Sequence, residues 1–131
     1  MKAMILASLA IWFLLAPAGA CSEQVEGGKI AVATQGDTVA SHVSPQAGFS
    51  GFFLLFDQRG ILLETLRNPA QSGAMGSGTA VVDFLAKRGV KVIVAEGFGN
   101  RIVEYITGKG MKPVEYKGNA AEAVKFILSS K

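Results

Sequence analysis

The chain has 131 residues, of which 50% are apolar and 18% are charged. This length holds one domain with a hydrophobic core, and the apolar content excludes a disordered chain. The formal net charge is +3, and basic and acidic residues alternate along the chain without a basic run. Nucleic-acid binding is therefore not expected, because nucleic-acid-binding proteins cluster Lys and Arg on one face.

The N-terminus has the pattern of a secretory signal peptide. A positive Met1-Lys2 start is followed by an apolar run over residues 4–15 and by small residues up to Ala20. This pattern predicts a signal peptide over residues 1–20 and export to the periplasm or another extracytoplasmic compartment. A buried N-terminal helix is the alternative interpretation.

Cys21 stands at the predicted mature N-terminus, where bacterial lipoproteins carry a lipidated cysteine. That pattern favours Leu at the position of Ala18, so lipidation and ordinary cleavage after Ala20 both stay open. Two buried acyl chains would hold the protein at a membrane surface, and this lipid is the only membrane attachment we expect. Because Cys21 is the only cysteine, an internal disulfide and a cysteine metal cage are excluded. Residues 21–28 are polar and predict a tether.

Compact apolar segments and Gly-rich turns alternate through the predicted domain, residues 29–131. Five segments are typical of strands: residues 29–34, 52–56, 61–66, 90–95 and 111–116. Asp57 to Gly60 predicts a hairpin turn, which makes the second and third strands antiparallel neighbours.

Three amphipathic segments predict helices after the third, fourth and fifth strands. Gly89 is predicted to end the first helix, Asn100 to cap the second, and Asn119 with Glu122 to form a capping box on the third. The resulting β-β-β-α-β-α-β-α order needs parallel strands with right-handed crossovers in its later part. We therefore predict an α/β domain with a mixed sheet of about five strands and helices on both faces.

Four segments in this order resemble a known family, and together they cover Lys29 to Leu128. They are Lys29–Thr34, Ser44–Asp57, Asn68–Ala70 with residues 76–78, and the turns at Gly89, Gly97–Asn100 and Gly110–Val114. The resemblance is to the dinitrogenase iron–molybdenum cofactor-binding domain of NifX, NafY and the C-terminal part of NifB-like proteins. It implies a ribonuclease H-like three-layer fold, and a protein that binds, carries or helps to assemble metal–sulfur clusters.

The loop before the second strand departs from the usual residues of that family. The family continues Ser-Pro with His or Arg and then Phe-Gly-Arg, whereas this chain has Gln46, Ala47, Gly48 and Phe49. Gln is a poor ligand for a soft metal cluster, and an anionic cluster would lose its Arg partner. Two hypotheses follow. The chain is an exported binding protein for an iron–molybdenum or other metal–sulfur cluster or a small anion, or it is an envelope protein-interaction module that has lost the cluster.

The candidate binding residues lie in this loop and in two Gly-rich turns. His42 is the only histidine and a candidate metal ligand, because imidazole suits iron, copper and zinc; it is otherwise a solvated loop residue. Free backbone N–H groups in Gly-rich turns that open helices favour anions, and Arg101 would add positive charge. The full candidate set is His42, Gln46, Gly48, Gly76, Ser77, Gly78, Gly97, Gly99, Asn100 and Arg101. No catalytic triad or two-metal carboxylate cluster is evident, so an enzyme is not predicted.

Overall fold

The computed structural model describes residues 28–72 and 78–130. The predicted signal peptide, Cys21 and nearly all of the tether lie outside the described residues, and so do Gly76 and Ser77. Within the described ranges, no helix combines the length and the apolar character needed to cross a membrane.

In the described residues, five strands and three α-helices follow the predicted order. The strands are β1 (Lys29–Thr34), β2 (Phe52–Phe56), β3 (Leu62–Arg67), β4 (Val90–Ala95) and β5 (Lys112–Glu115). The helices are α1 (Gly78–Ala86), α2 (Asn100–Gly108) and α3 (Ala120–Ser129), with 3₁₀ turns at Ala47–Phe49 and Pro69–Ser72.

The strands form one mixed sheet in the order β3-β2-β1-β4-β5. β2 runs antiparallel to both β1 and β3, whereas β1, β4 and β5 are parallel. The predicted hairpin between β2 and β3 is confirmed: the Oδ1 atom of Asp57 accepts the N–H groups of Arg59 at 2.8 Å and Ile61 at 3.0 Å. Gly60 supplies the positive φ, +86°, that this turn requires.

Two hydrophobic layers cover the sheet, one on each face. Phe53 and Leu55 of β2 pack into the layer under α1 and α2. Leu54 and Phe56 point to the other face, where α3 covers them. This explains why β2 is an unbroken apolar run: both of its faces are buried. The predicted three-layer α/β architecture is confirmed.

The two ends of α2 differ from prediction, whereas the cap of α3 agrees with it. Gly99, not Asn100, is the N-cap of α2, and its extended backbone (φ −72°, ψ 154°) starts the helix one residue early without a side-chain cap. Met111 is not part of β5, because its N–H donates to the carbonyl of Ile106 and so completes the last turn of α2. The capping box of α3 is confirmed, with the Asn119 side chain accepting the N–H of Glu122 at 2.9 Å.

Candidate functional site

The parallel neighbours β1 and β4 end side by side, and the chain leaves them in opposite directions. β1 connects to β2 on one side, whereas β4 connects through α2 to β5 on the other. Such a reversal opens a crevice at the carboxyl ends of the strands, which is where open α/β sheets bind ligands. The loop after β1 and the turn after β4 form the two walls of this crevice.

A cleft of about 270 Å³ lies there, between the 3₁₀ turn Ala47–Phe49 and the start of α2. It contains five of the predicted binding residues: Gln46, Gly48, Gly78, Gly97 and Gly99. The volume is slightly below the roughly 300–1,000 Å³ of sites for drug-sized molecules, so it suits a small ligand.

Backbone hydrogen bonds join the two walls. The N–H of Ser44 donates to the carbonyl of Ala33 at 2.7 Å, and the N–H of Glu96 donates to the carbonyl of Ser44 at 2.9 Å. Ser44 is therefore tied to the ends of both β1 and β4. These bonds hold the loop after β1 at a fixed distance from the Gly97–Gly99 turn.

The side chain of Asn68 holds the 3₁₀ turn Ala47–Phe49 in place, a role that was not predicted from the sequence. Its side chain is 1% exposed, and its Nδ2 group donates to the carbonyls of Ser50 at 2.8 Å and Gly48 at 3.2 Å. Its Oδ1 accepts the N–H of Ala70 at 2.9 Å, which links the second 3₁₀ turn to the first. One buried amide thus positions Gly48 and Ala70, which both line the cleft.

Glycine at the start of α1 lets the two helices approach closely. A Cβ atom on Gly78 would stand 2.5 Å from Cδ1 of Ile102 in α2, closer than such atoms approach in proteins. A Cβ on Gly48 would stand 3.9 Å from the Cα of Gly78. Three backbone segments therefore converge at the cleft, and a side chain at Gly78 would displace the Ile102 side chain.

As far as the structure describes the chain, the cleft offers backbone donors and no charged side chain. Among the hydrogen bonds of the described residues, none is donated by the N–H groups of Gly97, Phe98 or Gly99. These groups precede the N-terminus of α2, where the helix dipole adds partial positive charge and no side chain caps the helix. Free N–H groups at a helix N-terminus bind anions. No carboxylate lines the cleft within the described ranges, so its chemistry favours an anion over a bare cation.

The remaining lining is apolar and was not predicted: it consists of Ala47, Phe49, Ala70, Phe98 and Ile102. Phe49 is 77% exposed and also borders a second cleft of about 410 Å³, on the other side of the 3₁₀ turn. Gln46 borders both clefts as well. Phe98 could have been predicted to line the cleft, because it lies between Gly97 and Gly99, two predicted binding residues.

The other predicted binding residues lie apart from the cleft. Asn100 and Arg101 are exposed in the first turn of α2 and do not line it. His42 is exposed and bridges to Asn119, next to α3 on the opposite face of the sheet. In the described parts of the chain, no group of three or more His, Cys, Asp or Glu side chains is placed to hold a metal ion. The metal role of His42 stays a prediction.

The titratable groups with clearly shifted pKa values also lie elsewhere. Lys109 and Tyr105 hydrogen-bond to Asp83 and lower the pKa of its carboxyl, while the same carboxyl raises the pKa values of Tyr105 and Lys109. This cluster joins α1 to α2: the Tyr105 hydroxyl donates to Asp83 at 2.8 Å, and the Lys109 amine lies 2.9 Å away. It stabilises the helix pair and contributes no acid or base to the cleft.

Comparison with known proteins gives one family. The model of the dinitrogenase iron-molybdenum cofactor family matches residues 28–130. No curated protein matches the chain.

Among solved structures, the apo form of the orange protein from Desulfovibrio gigas is 25% identical, with a TM-score of 0.70 over 78% of this chain and 88% of that chain. A proposed NifB protein from Thermotoga is 24% identical, with a TM-score of 0.65 and the same coverage. A proposed dinitrogenase from Methanocaldococcus jannaschii is 10% identical, with a TM-score of 0.56 over 79% of this chain and 89% of that chain. The last two similarities establish the fold.

Proposed function

Because the chain belongs to the dinitrogenase iron-molybdenum cofactor family, we propose that it is a non-enzymatic binding protein whose cleft holds an anionic metal–sulfur cluster. One observation carries this proposal. Five residues predicted from sequence meet in a single cleft, beside three backbone N–H groups that have no partner among the described residues. The family supports the class of ligand, and the meeting of these residues supports the cleft as its site.

The groups in the cleft fit a cluster that brings its own sulfide ligands. No thiolate, imidazole or carboxylate lines the cleft in the described part of the chain, so the protein offers no strong ligand for a bare metal ion. The N–H groups of Gly97, Phe98 and Gly99 can instead donate to the sulfur atoms of an anion. The apolar side chains of Phe49 and Phe98 would shield a bound cluster from part of the solvent, which would strengthen these electrostatic contacts.

Gln46 gives the sharpest test of the sign of the ligand's charge. It is exposed at the rim and its side chain caps no helix, so substitution leaves the fold intact. Gln46→Glu is nearly isosteric and adds one negative charge, whereas Gln46→Lys adds one positive charge. Purified protein is incubated with tetrathiomolybdate, alone and with copper or iron, and the metal retained per chain is measured by mass spectrometry.

We expect retention to fall in Gln46→Glu and to rise in Gln46→Lys. The opposite order would indicate a cation site and would contradict the proposal. No retained metal in the wild-type protein under any of these conditions would also contradict it. Visible absorption of the complex gives an independent reading, since thiometallates are coloured.

A second function, contact with a protein partner in the envelope, is favoured by Phe49. This side chain is 77% exposed, although large aromatic side chains are usually buried. Aromatic side chains, Phe among them, are enriched in protein–protein interfaces. A partner captured by the wild-type chain and lost in Phe49→Ser, with metal retention unchanged, would support this second function.

Export of the protein, by the signal peptide over residues 1–20, is part of the proposal. The intact mass of the protein recovered from its native cells tests it. A mass that begins at Cys21 supports cleavage, and an added diacylglycerol mass supports lipidation of Cys21. The full mass from Met1 would contradict export by this route.

A further inference from the structure

The end of the domain opposite the cleft collects basic side chains that are scattered in the sequence. The parallel strands β1, β4 and β5 begin here, the β2–β3 hairpin turns here, and α1 and α2 end here. We call this end the basic pole. Its basic residues are Lys29, Arg59, Lys87, Arg88, Lys91, Lys109 and Lys112.

Sheet register and contacts place these side chains together. Lys112 lies opposite Val92, and Val92 lies opposite Ile30. Lys29 directly precedes Ile30, and Lys91 directly precedes Val92. Lys29, Lys91 and Lys112 therefore lie at the same end of the sheet. The Nε2 group of Gln58 donates to the carbonyl of Gly28 at 2.7 Å, which brings the hairpin that carries Arg59 beside the start of β1.

The basic pole carries most of the positive charge of the domain. Its two carboxylates already have basic partners, since Asp57 lies 3.6 Å from Arg59 and Asp83 lies 2.9 Å from Lys109. Seven basic and two acidic groups give the pole a net charge of +5. The rest of the described chain has four basic and six acidic residues, which give it a net charge of −2. The carboxylate of this group at the hairpin strands is Glu64, which pairs with Leu55, one position farther from the hairpin than the Phe56–Leu62 pair.

Exposed aliphatic side chains stand at the hairpin edge of this pole, where Arg59 is their basic neighbour. Ile61, directly after the hairpin turn, is 50% exposed, and Leu63 in β3 is 45% exposed. Lys87, Lys91 and Lys112 are exposed as well. Basic groups around exposed aliphatic residues are the combination that binds the headgroup region of anionic membranes.

We propose that the basic pole docks on an anionic phospholipid surface, with the side chain of Ile61 at the headgroup level. The composition of the pole favours a bilayer over nucleic acid, because the apolar groups here are aliphatic, whereas single-stranded nucleic acid is bound through aromatic stacking.

The chain enters the domain at this pole, at Gly28, and the apolar run over residues 4–15 precedes it. Docking would point the cleft away from the membrane and toward solvent, so that a cluster can enter or leave it. This inference is independent of what the cleft binds.

Two matched triple variants of the full chain test the proposal. Lys87→Gln with Lys91→Gln and Lys112→Gln removes three charges at the pole. Arg67→Gln with Lys117→Gln and Lys125→Gln removes three charges elsewhere. Binding is measured by co-sedimentation with vesicles of phosphatidylglycerol and phosphatidylcholine in equal parts, and with phosphatidylcholine alone. Comparing variants of the full chain cancels any contribution of residues 4–15.

Each basic residue near an anionic surface contributes about fivefold to partitioning, so the pole triple should lose about 100-fold on mixed vesicles. The control triple should lose only a few-fold, and added salt should weaken the wild type most. Vesicles of phosphatidylcholine alone should not distinguish the variants. Equal losses in both triples would overturn the proposal. It would also be overturned if the pole triple lost binding to random-sequence duplex DNA while its vesicle binding stayed unchanged.

Discussion

Replacing Gly99 by proline removes one backbone donor from the cleft and little else. Gly99 has φ −72° and ψ 154°, and the proline ring fixes φ near −65°. A Cβ atom at this position meets no heavy atom within 4 Å. The Gly99 N–H donates no hydrogen bond within the described residues, so no internal bond is lost. Gly99→Pro therefore tests whether that N–H binds the ligand.

The size of the expected effect follows from the charge of the ligand. A hydrogen bond to a charged group contributes roughly 1.5–3 kcal/mol, which corresponds to a loss of about 10- to 150-fold in affinity. Gly99→Ala is the matched control, because alanine fills the same open space and keeps the N–H. Both variants should fold at least as stably as the wild type, since a compatible Gly→Ala or X→Pro change stabilises by about 0.4–1 kcal/mol.

The assay is equilibrium dialysis against tetrathiomolybdate, with molybdenum measured on both sides. Thermal unfolding of each variant confirms that the fold is intact. We expect Gly99→Ala to bind like the wild type and Gly99→Pro to bind much more weakly. Equal affinities of the two variants would refute a role for this donor.

Three further predictions concern the stability of the domain. Asn68→Ala removes the three hydrogen bonds that this buried amide makes with backbone groups, and it leaves the carbonyl of Ser50 without this donor. We expect a loss of about 2–4 kcal/mol in the free energy of unfolding and weaker ligand binding. Asn119→Ala removes the α3 cap and should cost about 0.5–2 kcal/mol in urea unfolding, with ligand binding unchanged. Acid should also destabilise the domain, because the folded-state pKa values of Asp57 and Asp83 are lowered. A lowered pKa gives stability that is complete above the unfolded-state value, near 3.8, and is lost as the pH falls through the folded-state value.

Each of these predictions has its own control. Asn119→Asp keeps a capping acceptor and should retain most of the stability that Asn119→Ala loses. Asp83→Asn should flatten the dependence of stability on pH below about 4, and an unchanged slope would show that Asp83 does not contribute to it. If Asn68→Ala unfolded like the wild type, the amide would not fix the two 3₁₀ turns.

Local patterns were enough to predict the strands, the hairpin and the α3 cap. The five apolar residues of β2 indicated burial on both faces, and the spacing of Asn119 and Glu122 indicated the capping box. In each case the residues that form the sequence pattern are also the residues that form the structural feature. The mixed sheet then followed from the order of the elements.

The parts that sequence patterns missed depend on contacts between distant segments. Ile102 and Ala70 line the cleft because α2 and the second 3₁₀ turn meet there. A hydrophobic pattern within one segment cannot predict a contact between two segments. His42 precedes Gln46 by four residues, but the loop after β1 crosses the end of the sheet and leaves His42 beside α3. The basic pole was hidden for the same reason, since its residues are separated in sequence and gathered by parallel strand starts.

The position of the bound anion is the most direct test of the central claim. Backbone amide shifts are followed by NMR while tetrathiomolybdate is added to isotope-labelled protein. We predict that the largest shifts fall on the amides of Gly97, Phe98 and Gly99, with smaller shifts at Gly48. Shifts centred on Lys87, or no specific shifts at saturating anion, would contradict a ligand site in the cleft.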